Sequence, residues 1–191
     1  MIKKNILMLL LSALLVLGAV ILFWISTFKV PTSESIRERR VSESTKIYDR
    51  TGKILLYDTG GNVRRSVVPI EEISRNIKNA TIAIEDREFY QHHGIKPTAI
   101  LRAMLVNILT LNWSQGGSTI TQQVVKNSIL TNNKDISRKL KELVLAIKLE
   151  QMISKNEILS MYLNEIPYGG NIYGVEEASE AFFGKKSSDV T

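Results

Sequence analysis

The hydrophobic and polar positions divide the chain into an apolar N-terminal run, a short alternating stretch and a long helical remainder. Residues 5–28 carry no charge, and as a helix they would reach roughly 36 Å, enough to cross the hydrocarbon core of a bilayer. Trp24 and Phe28 stand at the far end of this run, where aromatic side chains suit a membrane interface. A cleaved signal peptide would have a shorter apolar region and a small-residue cleavage site, so the pattern favours a retained anchor over residues 1–30.

The pattern after the anchor predicts a linker and then a short β segment. Residues 31–44 are polar and charged, which indicates a juxtamembrane linker that lies on anionic headgroups or is simply solvated. Residues 46–48 and 53–57 read as two strands around a turn that Gly52 closes. A second turn at 58–62 leads to a third short strand within 63–68, so the β segment spans residues 45–68.

From residue 69 onward the periodicity is helical, which predicts a mainly α-helical domain over residues 69–191. The predicted helices cover residues 70–84, 98–111, 135–152, 157–163 and 175–183. Pro97 fits the first turn of the second of these helices, because its missing N–H is not needed there. Ser154 and Glu157 have the spacing of a capping box, and Gly184 is a suitable residue to end the last helix.

Composition and charge narrow the function classes. The net charge is +6, which favours anionic partners such as nucleic acid, anionic lipid or phosphate. The basic residues are scattered and lack interleaved aromatic residues, so the sequence predicts no nucleic-acid partner. The chain has no cysteine, which excludes disulfides and thiolate zinc sites, and it contains neither a Gly-x-Ser-x-Gly nor a His-Glu-x-x-His motif.

The first candidate for chemistry is the acid pair Glu85-Asp86, which ends the nearly apolar run 80–84. On a continuous helix Ile82, Glu85 and Phe89 share one face, so a carboxylate lies on a face suited to burial. Burial raises the pKa of an acid and makes it a stronger base once it is ionised. The alternative is an acid at a helix end that points to water, and the stretch by itself leaves both interpretations open.

The second candidate is the glycine-containing stretch 115–127. Gly116 and Gly117 allow a ligand to approach the backbone, and Ser118 or Thr119 can cap the helix that follows. A loop that feeds a helix N-terminus is an anion site, because unpaired N–H groups and the helix dipole point at it. Thr119, Gln122 and Lys126 then form one polar stripe on the helix. The alternative is a capped surface helix after a flexible loop.

The third candidate is the pair Arg138 and Glu142, four residues apart on the predicted helix 135–152. On an exposed face such a pair contributes only a few tenths of a kcal/mol. However, Glu142 shares its face with Leu145 and Leu149 and lies beside the apolar stripe, with Lys139 close by. That position suits the wall of a cleft with mixed charge.

Taken together, these stretches resemble the peptidoglycan glycosyltransferase family, which comprises the transglycosylase domain of class A penicillin-binding proteins and the monofunctional cell-wall glycosyltransferases. Five ordered motifs carry the resemblance: Glu85-Asp86, Phe89, His92 and Gly94; Gly116 to Gln123 with Lys126-Asn127; Arg138-Lys139 and Glu142; Lys155, Ile158-Leu159, Tyr162-Leu163-Asn164 and Gly169; and Gly174-Val175, Ala178-Ser179 and Phe183-Gly184-Lys185. The resemblance covers roughly residue 69 to the end. It implies a lysozyme-like helical glycosyltransferase domain that is incomplete at its C-terminus, since the family's domain continues with further helices.

The resemblance also implies a reaction and a set of roles. The family polymerises lipid II into β-1,4-linked glycan strands and releases polyprenyl pyrophosphate. Glu85 would be the general base and Glu142 the second catalytic acid. The expected substrate-binding residues are Asp86, Gly117, Ser118, Thr119, Gln122, Gln123, Lys126, Asn127, Arg138 and Lys139. The resemblance fixes no cofactor and leaves a divalent cation open: Asp86 or Glu142 is suited to hold an Mg²⁺ or Mn²⁺ ion that bridges the phosphates.

The location follows from this reaction rather than from charge. Basic residues flank both ends of the anchor, so the positive-inside rule does not orient it. The reaction requires a single-pass protein of the bacterial plasma membrane, with a cytoplasmic N-terminus and an extracytoplasmic catalytic domain. The expected partners are lipid II, the growing lipid-linked strand, the membrane and cell-division or elongation proteins. The alternatives are a lysozyme-like hydrolase or lytic transglycosylase that uses Glu85 as an acid, and a non-catalytic membrane-anchored scaffold.

Overall fold

The computed structural model describes residues 2–28, 32–37, 44–58, 63–110, 116–130 and 136–191. The chain divides into two compact units, residues 1–31 and residues 32–191. Half of the predicted linker, residues 31 and 38–43, lies outside the described residues, and so do residues 59–62 of the predicted second turn, Gln115 and Asp135.

The first unit is one helix, α1 (Ile2–Ser26). Its stretch Asn5–Ser26 is long and apolar enough to cross a membrane, by length and composition. The rings of Trp24 and Phe28 pack edge to face with their centroids 4.6 Å apart. The apolar helix predicted from the sequence is therefore confirmed as a helix.

The second unit begins with α2 (Ser33–Arg37) and a two-stranded antiparallel hairpin, β1 (Lys46–Tyr48) and β2 (Leu55–Asp58). Both strands and the turn at Gly52 follow the prediction. The third strand, β3 (Arg64–Arg65), is shorter than expected and does not extend the hairpin.

In the described part of the second unit, six helices form the body: α3 (Arg75–Glu85), α4 (Pro97–Thr110), α5 (Ile120–Val124), α6 (Ile136–Met152), α7 (Lys155–Glu165) and α8 (Val175–Phe183). The predicted helix 70–84 is instead a 3₁₀ turn at Ile70–Glu72 followed by α3. The break arises because the Ser74 side chain accepts a hydrogen bond from the Asn76 N–H and starts a new helix. The predicted capping box at Ser154 and the left-handed Gly184 that ends α8 are both present.

A small sheet that the sequence did not predict joins distant parts of the chain. β4 (Pro167–Gly169) pairs antiparallel with β5 (Ile172–Tyr173), and β5 pairs in parallel with β3. The core lies where α5 packs against α6 and α7. Its fully buried side chains include Ile120, Val124, Leu149, Ile158 and Leu163.

A buried carboxylate ties the β segment to α8. The Glu177 side chain is fully buried, and its Oε1 lies 2.5 Å from Lys46 Nζ and accepts a 2.5 Å hydrogen bond from Ser66 Oγ. Its Oε2 lies 3.4 Å from Arg64 NH2. Burial lowers the pKa of Lys46, but the hydrogen bond and charge of Glu177, together with Glu180, outweigh it and raise the pKa of Lys46 above 10.5.

The Glu177→Gln variant is expected to lose about 1.5–3 kcal/mol of folding stability, because a buried charge-assisted contact is lost. A raised pKa stabilises the fold below the unfolded value of 10.5 and ceases to do so as pH rises through the folded value. The difference between wild type and variant should therefore be constant at neutral pH and shrink above pH 10.5. Denaturant unfolding across pH measures it.

The matched control is Glu180→Gln, which removes the exposed partner of Lys46 at 3.3 Å. We expect this change to cost about 1 kcal/mol or less. Equal losses for the two variants would contradict the assigned role of the buried carboxylate.

Candidate active site

The Glu85 carboxylate is exposed at the last residue of α3, and its Oε2 accepts a 2.7 Å hydrogen bond from Gln123 Nε2. Of the two interpretations that the sequence leaves open for Glu85, the buried base is therefore wrong. The helix ends at Glu85, so Phe89 does not share a helical face with it. The burial of the Phe89 side chain therefore says nothing about the burial of Glu85. The alternative interpretation, an acid at a helix end, describes the position of Glu85.

Asp86 is the buried member of the pair, with 5 % of its surface exposed. Its Oδ2 accepts hydrogen bonds from the Ile120 N–H at 3.2 Å and from His92 Nε2 at 2.7 Å. Since the Gly94 N–H donates to His92 Nδ1, we assign the ring proton to Nε2. Asp86 thus fastens the end of α3 to the start of α5. This engagement favours a structural role over the substrate-binding role expected for Asp86.

A second buried carboxylate, that of Glu150, connects α5 to α6 and α7. Glu150 Oε1 accepts hydrogen bonds from Thr121 Oγ1 at 2.5 Å and from Lys155 Nζ at 2.7 Å. The ammonium group of Lys155 lies 4.5 Å from the centre of the Phe89 ring. Helices α5, α6 and α7 are therefore linked by polar contacts next to the Phe89 ring, four residues after the end of α3.

The glycine loop lies against the backbone of α4. A Cβ atom at Gly117 would lie 2.8 Å from the carbonyl oxygen of Ala99, so only glycine fits. Thr119 caps α5 in a capping box with Gln122, as the sequence predicts, and its Oγ1 donates a 2.7 Å hydrogen bond to the Gly94 carbonyl. Both side chains are consequently buried.

The predicted stripe of Thr119, Gln122 and Lys126 is wrong, because the first two are buried and Lys126 is exposed. Helix α5 passes into a π-helical turn at Val125–Ile129, which changes the rotation per residue. Lys126 and Asn127 lie in this turn with exposed side chains. Within the described residues no contact joins them to Glu85, so their role as phosphate ligands stays a prediction.

On α6, Glu142 is a buried acid with a cation at each oxygen. Its side chain is 3 % exposed, with Oε1 lying 3.4 Å from Arg138 Nε and Oε2 lying 2.8 Å from Lys139 Nζ. Lys139 Nζ also donates a 2.8 Å hydrogen bond to Ser118 Oγ. The mixed charges predicted for this helix are present, and Lys139 contacts Ser118 of the cleft lining. A cleft-wall position for Glu142 itself stays a prediction.

Some of the predicted site residues line one cleft, which has a volume of about 510 Å³. The predicted residues that line it are Glu85, Asp86, Gly117, Ser118 and Thr119. Sequence reasoning missed three cations in the same lining, Arg87, Lys96 and Arg102. Arg102 is the single charged residue of the otherwise apolar α4, a pattern that could have identified it.

Two tyrosines lie within the electrostatic reach of Glu85. Burial, then the charge of Glu85 and the neighbouring Tyr168, raise the pKa of Tyr162, while burial and the charge of Glu85 raise the pKa of Tyr168 to about 12. Both hydroxyl groups therefore keep their protons at neutral pH. The Tyr162 hydroxyl donates a long, 3.4 Å hydrogen bond to Gln123 Oε1.

The residues proposed for a divalent cation do not fit one in this arrangement. Asp86 uses its Oδ2 for Ile120 and His92, and both oxygens of Glu142 face cationic side chains. Among the described residues, no cluster of three or more histidine, aspartate or glutamate side chains has a geometry that would bind a metal ion.

Comparison with known proteins agrees with the family resemblance of the sequence motifs. Residues 52–191 match the family model described as Transglycosylase. The chain is 41% identical over 178 residues to penicillin-binding protein 1A of Aquifex aeolicus, covering 89% of this chain and 24% of that protein. It is 42% identical over 177 residues to penicillin-binding protein 1A/1B of Bacillus subtilis, covering 93% of this chain and 19% of the relative.

Penicillin-binding protein 1A of Escherichia coli is 38% identical over 163 residues, which cover 85% of this chain and 19% of that protein. The chain thus spans between about a fifth and a quarter of the length of these relatives. The family model covers well over half of the chain and includes every element that lines the cleft. The chain therefore belongs to the Transglycosylase family.

Proposed function

We propose that this protein is a peptidoglycan glycosyltransferase of bacterial cell-wall synthesis, which polymerises lipid II into β-1,4-linked glycan and releases polyprenyl pyrophosphate. The observation that carries the proposal is one cleft with two kinds of group. It holds the exposed Glu85 carboxylate, and it also holds Ser118, to which Lys139 is bonded. The lining also includes the cations Lys96 and Arg102, and a base and cations in one cleft suit a transfer reaction with an anionic leaving group.

In the proposed reaction, the hydroxyl oxygen of the acceptor sugar forms a bond to the anomeric carbon of the donor. Glu85 takes the hydroxyl proton. The bond from that carbon to the diphosphate breaks, and its electron pair leaves with the diphosphate oxygen. Glu85 is arranged for this role because Gln123 holds its Oε2, which leaves Oε1 for the hydroxyl.

The leaving group is already acidic, so it needs positive charge rather than a strong acid. Lys139 at Ser118 supplies one such charge, and Lys96 and Arg102 line the same cleft. Arg138 and Lys139 are held in place by the buried Glu142. The role of Glu142 in this proposal is therefore to orient the cations that meet the diphosphate.

A lipid-linked substrate suits the surroundings of the cleft. Helix α4 contributes Ala99 and Arg102 to the lining, and it exposes five large apolar side chains, Leu101, Met104, Leu105, Ile108 and Leu109. An exposed apolar patch of this kind is typical of a membrane or lipid contact. With α1 as a candidate span, we propose a single-pass plasma-membrane protein with a cytoplasmic N-terminus and an extracytoplasmic catalytic domain.

The hydrolase and lytic transglycosylase alternatives are less well supported. An acid that must protonate a sugar leaving group is usually kept protonated by an apolar pocket, whereas the Glu85 side chain is exposed. A non-catalytic scaffold would need neither this carboxylate nor the cations of the cleft. Cell-division and elongation proteins remain proposed partners.

The test supplies fluorescent lipid II to the full-length protein in detergent or vesicles. We expect glycan polymer on gels, with one polyprenyl pyrophosphate released for each bond formed. A parallel reaction with preformed, lipid-free glycan serves as the control, and its strand length should not change. Shortening of that glycan without polymer from lipid II would support the lytic alternative, and the absence of both products would support the scaffold.

A further inference from the structure

We propose that Tyr162 is a positioning residue for Glu85 and acts through the side-chain amide of Gln123. The inference rests on the proposed function, because it assigns a task to the contacts of the same carboxylate. Three helices contribute one residue each: Glu85 ends α3, Gln123 lies on α5 and Tyr162 lies on α7. Together the three side chains form a chain of two hydrogen bonds.

The chemistry of the three groups fixes the direction of both hydrogen bonds. An ionised carboxylate only accepts, so the NH₂ group of Gln123 must face Glu85, with Nε2 lying 2.7 Å from Oε2. The amide oxygen then points the other way and accepts from the Tyr162 hydroxyl at 3.4 Å. A protonated phenol is needed for this bond, and the raised pKa of Tyr162 keeps the proton in place.

The two hydrogen bonds connect a buried residue on a helix to an exposed carboxylate. Tyr162 is 3 % exposed and lies on α7 between core residues, while Gln123 is half-buried and Glu85 is exposed. Within the described part of the protein, the Gln123 amide is the sole hydrogen-bond partner of the Glu85 side chain. Without a fixed amide, an exposed glutamate at a helix end samples several rotamers.

A base that samples several rotamers spends less time in the orientation that receives the acceptor proton. Rotamer freedom changes the rate of the chemical step, because that step requires a defined geometry between base and hydroxyl. It does not change the contacts that bind lipid II. The proposal therefore predicts an effect on kcat and not on KM.

The test measures lipid II polymerisation by the full-length protein and its Tyr162→Phe, Gln123→Met and doubly substituted forms. Tyr162→Phe should lower kcat by about 3- to 10-fold with KM unchanged, the loss expected from one hydrogen bond. In the Gln123→Met background the same change should lower kcat by less than about twofold, because the chain is already broken. A role of Tyr162 in packing alone would give equal losses in both backgrounds.

The matched control is Tyr90→Phe. The Tyr90 hydroxyl also donates to a side-chain amide oxygen, that of Asn156 at 3.2 Å, but both residues line a separate cavity. We expect kcat within about twofold of wild type for this control, with a melting temperature lowered by about 2–4 °C as for Tyr162→Phe.

Three results would overturn the positioning role: an unchanged kcat in Tyr162→Phe, a raised KM, or equal losses in the two backgrounds. A further variant, Glu85→Gln, distinguishes these three results from a failure of the proposed function. If Glu85→Gln polymerises lipid II at the wild-type rate, the general-base assignment fails and the positioning role fails with it. If Glu85→Gln is inactive while the losses are equal, only the role of Tyr162 is wrong.

Discussion

Replacement of Glu85 with glutamine is expected to slow glycan polymerisation by about 10²- to 10⁴-fold, the contribution of a positioned general base. Glutamine keeps the shape of the side chain and cannot take the acceptor proton. The carboxylate is exposed, and within the described residues its one hydrogen bond comes from Gln123, so little packing is lost. Initial rates with labelled lipid II and thermal unfolding of the same preparations measure the two effects.

Glu88→Gln is the matched control for this variant. Glu88 is another carboxylate in the lining of the cleft, and its Oε1 lies 2.9 Å from Lys96 Nζ. We expect a change of about fivefold or less, since a surface ion pair contributes little. Equal losses from Glu85→Gln and Glu88→Gln would mean that the cleft requires negative charge in general, and Glu85 would lose its assignment as the base.

Replacement of Gly94 with alanine is expected to destabilise the fold by about 2–5 kcal/mol, the sum of backbone strain and overpacking. Gly94 has a φ of +87°, which side chains rarely adopt, and its added Cβ would lie 2.6 Å from the carbonyl oxygen of Ala146. Backbone atoms of α6 cannot rotate away as a flexible side chain would. Denaturant unfolding measures the loss.

Gly52→Ala separates the two contributions. Gly52 has a similar φ of +70°, but its Cβ would meet no atom within 4 Å. The control should therefore cost only the strain, about 1–2 kcal/mol. If the two variants were equally stable, the close approach of Gly94 to α6 would contribute nothing to the free energy of unfolding.

Features set by neighbouring residues could be predicted from the sequence. The capping boxes at Thr119 and Ser154 need only residues three positions apart, and the β1–β2 hairpin needs only its turn. The polar contacts of Arg138, Lys139 and Glu142 likewise follow from helical spacing on α6.

Features set by distant residues could not be predicted. β3 pairs with β5, more than a hundred residues later in the chain, and no local pattern specifies that partner. Which carboxylate of the acid pair becomes buried depends on His92 and on the start of α5, so helical periodicity alone could not decide it. The π-helical turn that displaces Lys126 from the predicted stripe is also invisible to an α-helical pattern.

The ion pairs in the cleft and next to Ser118 affect how substrate binding depends on ionic strength. Lys139 already lies against Glu142, and Lys96 lies against Glu88. Under the proposed function, each of these lysines exchanges a carboxylate neighbour for the diphosphate. The diphosphate therefore does not meet unpaired cations. Mobile salt ions screen such an exchange less than they screen a free charge. Lipid II binding should therefore tolerate salt better than a net charge of +6 suggests.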